Sequence, residues 1–299
     1  MKIGLYDVDS RVATLPNLAI MKIASWHKKQ GHEVEHYMPL FHKTYSKIYA
    51  SKVFKFSDGR LITDDMIKGG TGINMKIDLP EEINNCDPDY SFYNFPHSMG
   101  FSQRGCRFKC DFCVVPKKEG KPRIESTIED IWTNRKSDFL ILLDNDFFSG
   151  NWKQNLEEIK RLKLKVCFSQ GMNLRIISQK QADYLAQVEF RNISNTFKQI
   201  TFAWDNINDE KSIKRGFKRL LDAGIKAYQV QLFVLIGFDS NHEENLYRVN
   251  EIKSWGADPY VMPFDKKDAY QKQFARWVNH RAIFHSVKWS DYKSNIKKG

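Results

Sequence analysis

The chain has 299 residues, 41% of them hydrophobic and 13% aromatic, which is enough apolar material for a packed core and excludes a globally disordered chain. No apolar run approaches the roughly 20 residues that cross a bilayer, and the opening Met1-Lys-Ile-Gly-Leu-Tyr-Asp-Val lacks the apolar core of a secretion signal, so a cytoplasmic protein with no membrane partner is expected. The formal net charge is +11, of which +6 falls in residues 265–299, a stretch suited either to phosphate contacts or to a solvated basic helix.

In chain order, residues 2–8 predict a strand and residues 17–30 a helix with Leu18, Met21 and Ala24 on one face, stopped by Gly31. Residues 32–37 and 47–54 predict two further strands, the second rich in β-branched and aromatic side chains. The cluster Lys68-Gly-Gly-Thr-Gly72 reads as a turn, with a phosphate role for Gly69, Gly70 and Gly72 as the other option. Leu79-Pro-Glu-Glu-Ile83 and Pro88-Asp-Tyr90 read as turns and a linker.

Residues 99–105 then lead into Gly105-Cys106-Arg107-Phe108-Lys109-Cys110-Asp111-Phe112-Cys113, three cysteines spaced Cys-x₃-Cys-x₂-Cys. Three thiolates this close can hold three irons of a 4Fe–4S cube and leave the fourth iron open to a substrate or cofactor. A zinc site would want a fourth ligand in a paired form; His97 lies upstream, but no second ligand pair follows. Disulfides fit poorly, because five cysteines is an odd number and three of them share one loop.

Beyond the loop, strand and helix signals alternate. Ser126-x-x-Glu129 predicts a capping box, residues 139–143 a buried strand, 152–162 a helix and 165–168 a strand. Ser178-x-x-Gln181 caps the next helix, followed by a strand at 199–204 and a helix at 210–222 with Ile213, Phe217, Leu220 and Leu221 on one face. Residues 228–236 alternate with Val230, Leu232, Val234 and Ile236 in phase, and residues 260–262 end the series. About six such repeats predict an α/β fold whose parallel sheet curls into a partial TIM-like barrel. In the tail, Gln273-Phe-Ala-Arg276-Trp277-Val-Asn-His280-Arg281 and Lys288-Trp289 mix cations with rings. That mixture suits single-stranded nucleic acid, but the preferred expectation is an amphipathic helix packing Phe274, Trp277 and Val278 on the barrel with its basic face to water.

The cysteine spacing, with Phe112 just before the last cysteine, resembles the radical SAM superfamily. The resemblance implies a (β/α)₆ barrel over residues 96–265, a single 4Fe–4S cluster on Cys106, Cys110 and Cys113, and S-adenosylmethionine (SAM) bound at the open iron. It also implies a flavodoxin- or ferredoxin-like reductant and a 5′-deoxyadenosyl radical that abstracts hydrogen from a substrate. Phe112 would lie beside the adenine. In a parallel barrel, functional groups collect after the strands. Asp144, Asn145 and Asp146 stand where the family holds the SAM amino group, Gln170, Asn173 and Asp205 are ribose candidates, and Arg175 is a candidate for the methionine carboxylate. Gly237 and Met262 stand where the family packs along the adenine, and Gly171 would let backbone approach a ligand.

Residues 1–95 resemble the Rossmann-like cobalamin-binding domain often fused ahead of such barrels, in the order of strand, helix, Gly31-His-Glu-Val34 strand, Gly-Gly turn and Pro80-Glu-Glu82. The Asp-x-His-x-x-Gly motif that supplies histidine to cobalt is absent, and His32, His36 and His42 sit in other contexts, so cobalamin is not the favoured expectation. Residues 266–299 are expected to form a basic helical extension. Only Cys86 and Cys167 lie outside the loop, too few for an auxiliary cluster; Cys167 reads as core, and Cys86 as a linker residue or a hydrogen donor. The leading expectation is a single-cluster radical SAM enzyme acting on nucleic acid or peptide. The alternatives are a cobalamin-dependent radical SAM methyltransferase and a non-enzymatic Fe–S or zinc binding module.

Overall fold

A computed structural model describes residues 1–294 of the chain, with side chains through residue 292. The expected basic extension therefore falls partly, at residues 295–299, outside the described residues.

The N-terminal unit is a four-stranded parallel sheet. Its strands β1 (Lys2–Asp7), β2 (Glu33–His36), β3 (Lys47–Ser51) and β4 (Ile67–Gly69) lie in the order β2-β1-β3-β4. Ile3 and Leu5 of β1 point to one face, where they meet Ile20, Ile23 and Ala24 of the helix Leu18–Lys29. That helix starts where the Asn17 carboxamide oxygen accepts from the amides of Ala19 and Ile20. The glycine cluster packs backbone on backbone: a Cβ on Gly70, whose φ is +95°, would lie 2.3 Å from the Lys52 carbonyl oxygen.

The remainder is built on β5 (Ser98–Gly100), the antiparallel pair β6 (Gln103–Arg104) and β7 (Arg123–Ile124), and the parallel strands β8 (Phe139–Leu142), β9 (Lys165–Phe168), β10 (Met172–Asn173), β11 (Glu189–Phe190), β12 (Ile200–Ala203), β13 (Val230–Ile236) and β14 (Asp258–Pro263). Two four-stranded sheets result, β11-β9-β8-β5 and β10-β12-β13-β14. Three residues separate β9 from β10, among them Gly171 with φ +75°. The chain thus pairs with β8 through β9 and, just beyond that glycine, with β12 through β10, and the parallel order runs β5-β8-β9/β10-β12-β13-β14.

Alternation along the strands divides the two faces. Leu140, Leu142, Val166, Phe202, Leu232 and Val234 pack against helix residues such as Leu156, Ile159, Leu220, Val249, Ile252 and Phe274. On the opposite, inner face, Met99, Phe139, Ile141, Leu143 and Cys167 pack against Met21 and Tyr90 of the N-terminal portion. The inner face of the first three strands is therefore filled from within the chain. On the later strands it is open: Ala203, Gln231, Phe233 and Leu235 are half-buried, and Tyr260 and Met262 are 41% and 44% exposed.

Several local expectations are corrected. The capping box before the helix Ile128–Ile131 is Thr127 with Asp130, not Ser126 with Glu129; the Ser126 amide donates instead to the Ser102 carbonyl. Leu221 is 42% exposed, since the buried stripe of its helix is Ile213, Gly216, Phe217 and Leu220. In the tail, Phe274, Trp277 and Val278 are buried, so the packing alternative holds for these rings and they are not free to stack on bases.

Candidate functional site

Parallel strands deliver the ends of β5, β8, β10, β12, β13 and β14 to one edge of the sheet, and the loops after them carry the residues singled out in the sequence. The cysteine loop rises there between β6 and β7. Gly105 turns it with φ +80°, and a Cβ at that position would meet the Lys121 carbonyl oxygen at 2.3 Å. The Cys106 amide donates to the Gly120 carbonyl at 3.1 Å, the Cys113 amide to the Cys110 carbonyl at 2.9 Å, and the Phe108 amide to the Cys106 sulfur at 3.4 Å. All three loop cysteines are half-buried free thiols. Burial pushes the Cys106 thiol up to about 11, and burial also raises Cys110, opposed by the nearby Arg175. Among the described residues no three His, Cys, Asp or Glu side chains converge on a single metal-ion position. His97 precedes β5, at the far edge of the sheet, where its ring bonds the Ser137 hydroxyl at 2.8 Å.

Two carboxylates support this loop from below. Asp144 accepts from the Ser102 amide at 2.7 Å, the Gln103 amide at 3.3 Å and the Ser102 hydroxyl, and Asn155 donates to that same hydroxyl at 2.8 Å. Burial raises the Asp144 pKa to about 6. Asp146 receives two bonds from the Arg107 guanidinium, at 2.8 and 3.0 Å. Both acids were expected as acceptors for an ammonium group. Their oxygens are instead engaged within the chain, and of the three side chains that of Asn145, half-buried, has no hydrogen bond among the described residues.

The loop also makes contacts on both sides of the site. The Phe108 ring lies 5.5 Å from the Arg107 guanidinium and 5.2 Å from that of Arg175. Phe112 meets Phe238 edge-on at 5.6 Å, and Phe238 meets Phe264 at 5.0 Å. Arg175 pairs with Asp209 at 3.0 Å and takes its turn from Asn173, whose carboxamide oxygen accepts the Arg175 amide at 3.1 Å. Gln170 is exposed and donates to the Ser169 hydroxyl at 3.3 Å. Asp205 accepts from the Leu235 amide at 3.3 Å, and burial raises its pKa. Gly237 has φ +81° and makes room for Gln271, whose carboxamide a Cβ would meet at 2.2 Å. Gly171 likewise lies against a side chain: a Cβ there would be 3.0 Å from the Phe233 ring.

Sequence reasoning missed the supports. Arg248 is completely buried, and its guanidinium donates to the Trp204, Asp205 and Leu235 carbonyls at 2.8–2.9 Å, tying the ends of β12 and β13 together. Nothing in its surroundings, a helix of mixed composition, announces this. Arg107 and Phe108 were in view but unassigned. A basic residue one position after the first cysteine, with acids after β8, is the signal that could have paired Arg107 with Asp146.

Among the contacts of the N-terminal unit with this edge, two involve lysines of the later part of the chain. Buried Asp9 accepts from the Val53 amide and the Ser57 hydroxyl, both at 2.5 Å, and so fixes a loop whose Phe54 and Phe56 rings stack at 5.1 Å. Lys266, just past β14, lies 3.8 Å from the Phe56 ring. On the other side Lys118 donates to the Ile77 carbonyl at 2.9 Å and pairs with Asp78. The histidines of the unit are all engaged: His32 with His27, His36 with the Phe92 carbonyl, and His42 with Tyr37 and Asp65.

No protein-family model matches this sequence, and no curated protein matches it in sequence. Among solved structures, the chain is similar in fold to the radical S-adenosylmethionine methyltransferase TsrM from Kitasatospora setae, a structure with tryptophan substrate and a SAM analog bound. The identity is 12% and the TM-score 0.56, over 87% of this chain and 72% of that one. The likeness establishes a shared α/β fold with parallel sheets. Among the described residues no helix is long and apolar enough to cross a membrane.

Proposed function

We propose that the chain is a radical SAM enzyme, with an N-terminal unit over residues 1–95, a partial (β/α)₆ barrel over 96–265 and a helical extension beyond. The observation that carries this reading is the placement of the Cys106–Cys110–Cys113 loop on the strand-end edge, beside the open half of the inner face.

The donor set fits a 4Fe–4S cluster. Three soft sulfur ligands share one short loop, and a backbone amide already donates to the Cys106 sulfur. A cube asks each thiolate to hold a different iron, so convergence on a single point, which zinc requires, is not needed. The thiols must lose their protons on loading, so loading becomes easier as pH rises. When bound, the cluster supplies the electron that splits SAM into methionine and a 5′-deoxyadenosyl group able to take hydrogen from a substrate. The chain's own residues then position and enclose. Phe112, Phe238, Gly237 and Met262 would line the adenine; Asn145, Gln170, Asn173 and Asp205 would offer polar atoms to the ammonium and ribose; and Arg175 would offer its guanidinium to the carboxylate in competition with Asp209. Asp144 and Asp146 act one step back, by holding the loop. The open half of the inner face leaves room for the substrate to approach over Gln231, Phe233 and Tyr260, and since Tyr260 is 41% exposed the substrate itself would complete the exclusion of water.

Anaerobic reconstitution tests this. About four irons and four sulfides per chain, with 5′-deoxyadenosine formed from SAM under reductant, support it. A loaded protein that binds SAM and yields no 5′-deoxyadenosine would make it a binding module.

A second reading, methyl transfer, is favoured by the similarity in fold to a radical SAM methyltransferase. Cobalamin would then bind without a histidine from His32, His36 or His42, since all three are engaged. Retention of cobalamin through gel filtration supports this reading, and its loss counts against it.

A further inference from the structure

The helix Ala269–Asn279 turns Phe274, Trp277 and Val278 inward. Its outer face carries Lys272 and Arg276, both exposed and one turn apart, and Lys266 and Lys267 are exposed in the turn that leads into it from β14. Residues 265–281 hold five Lys and Arg against two Asp, a net of +3 with His280 neutral. Arg281 pairs with Asp258 at 3.2 Å, but among the described residues none of the other four cations meets an acid. Of the two acids, Asp268 caps the helix by accepting the Gln271 amide at 2.7 Å, and Asp265, exposed, accepts the Lys267 amide at 2.8 Å. The unpaired cations thus climb to the strand-end edge, where Lys266 lies over the Phe56 ring.

The open inner face has the opposite character. β13 and β14 lie in parallel register, with Phe233 beside Tyr260 and Leu235 beside Met262. The Phe233 and Tyr260 rings are 5.6 Å apart. Gln231 supplies one polar group on this face. The single charged residue of the two strands, Asp258, starts β14 at the far end and is the partner of Arg281.

We propose that the substrate is single-stranded nucleic acid, its phosphates running along Lys266, Lys267, Lys272 and Arg276 and one base turned inward onto Phe233 and Tyr260. The inference rests on the radical SAM reading above and names its substrate class. A polyanion whose flat groups are uncharged fits this division of the surface: phosphate meets cation outside, and base meets ring inside. Each nucleotide carries both groups in fixed relation, whereas an acidic peptide would need separate acidic and ring-bearing residues in matching order. A duplex keeps its bases stacked out of reach until they are turned out. The buried rings of the tail take no part; its exposed cations do.

The test is fluorescence anisotropy of a labelled strand of about 16 nucleotides, as RNA and as DNA of one sequence, with reconstituted full-length protein. The expected result is binding of one or both that weakens as salt is added. Lys272→Gln/Arg276→Gln should lose about tenfold in affinity at low salt and flatten the slope of log affinity against log salt by about 1.4, at ~0.7 per phosphate contact. Tyr260→Ser should weaken binding and leave that slope in place, while an abasic strand should bind the parent and Tyr260→Ser alike. The control Lys180→Gln/Lys211→Gln, exposed lysines on two other helices, should match the parent. Three results overturn the nucleic-acid assignment while leaving the enzyme reading intact: equal affinity for the duplex, parent-like affinity in the Lys272 and Arg276 variant, or displacement of the strand by a tighter-binding peptide of Glu and Phe. Parent-like binding by Tyr260→Ser overturns the base contact. No 5′-deoxyadenosine from the parent with SAM and dithionite overturns the enzyme reading, and the substrate assignment with it.

Discussion

Arg107 and Asp146 form a two-point ion pair, at 2.8 and 3.0 Å, that fastens the cysteine loop to the turn after β8. The Asp146 side chain is 3% exposed and that of Arg107 38%. Arg107→Ala strands a carboxylate in the interior, whereas Asp146→Asn leaves a half-exposed guanidinium that water can serve. The arginine change should cost about 2 kcal/mol of stability, below the ~3–5 of a fully buried pair because one partner is solvated. The asparagine change should cost less. Urea unfolding of both variants checks the order; equal losses would mean the pair contributes no more than an exposed one.

Asp144 gives a pH signature. Its folded-state pKa of about 6 lies above the ordinary 3.8. Between these values the folded chain keeps a proton that the unfolded chain has lost, so this group's contribution to stability falls as pH rises from about 4 to about 6. The full change is about 3 kcal/mol at 1.36 kcal/mol per unit. Asp144→Asn stays neutral, so its stability relative to the parent should improve across that window. A difference independent of pH would contradict the burial assignment.

His27 works in the opposite direction. It is fully buried between His32 and Tyr49, and burial lowers its pKa from 6.5 to about 4. Below pH 6.5 the unfolded chain takes up a proton that the folded chain refuses, so stability is lost as pH falls from about 6.5 to about 4, by roughly 3 kcal/mol. His27→Gln should flatten that acid limb of the thermal midpoint curve while lowering the midpoint at neutral pH. A parent curve already flat there would show that His27 charges freely.

Gly105 tests the loop geometry. At φ +80° and 2.3 Å from a backbone carbonyl, an added methyl meets both strain and a clash that no side chain can relieve. Gly105→Ala should lose cluster loading, measured as iron per chain, while far-UV dichroism shows the rest of the fold retained. Full loading would mean the loop adopts another path.

Much of this arrangement could be read from the sequence because parallel strands have a simple rule: polar residues after each apolar run gather at one edge. Val230, Leu232, Val234 and Ile236 advertised both a strand and its buried face, and Ser178 with Gln181 announced a helix start that the structure contains. What could not be read depended on partners far away in the chain. Whether Asp146 faces a ligand or Arg107 is decided by a contact across 39 residues. The filling of half the inner face requires Met21 to meet Met99, Ile141 and Cys167, residues linked only by the fold. Thr127 and Ser126 are both competent caps, and the choice between them turns on the backbone direction at one residue.

The central claim is an iron left open for SAM on a cluster held by Cys106, Cys110 and Cys113. Electron paramagnetic resonance of the reduced, reconstituted protein tests it most directly. The account predicts a cluster signal that shifts when SAM is added and that persists in Cys86→Ser and Cys167→Ser but is lost or altered in Cys106→Ser, Cys110→Ser and Cys113→Ser. A signal unmoved by SAM, or one that survives unchanged in the loop variants, would contradict it.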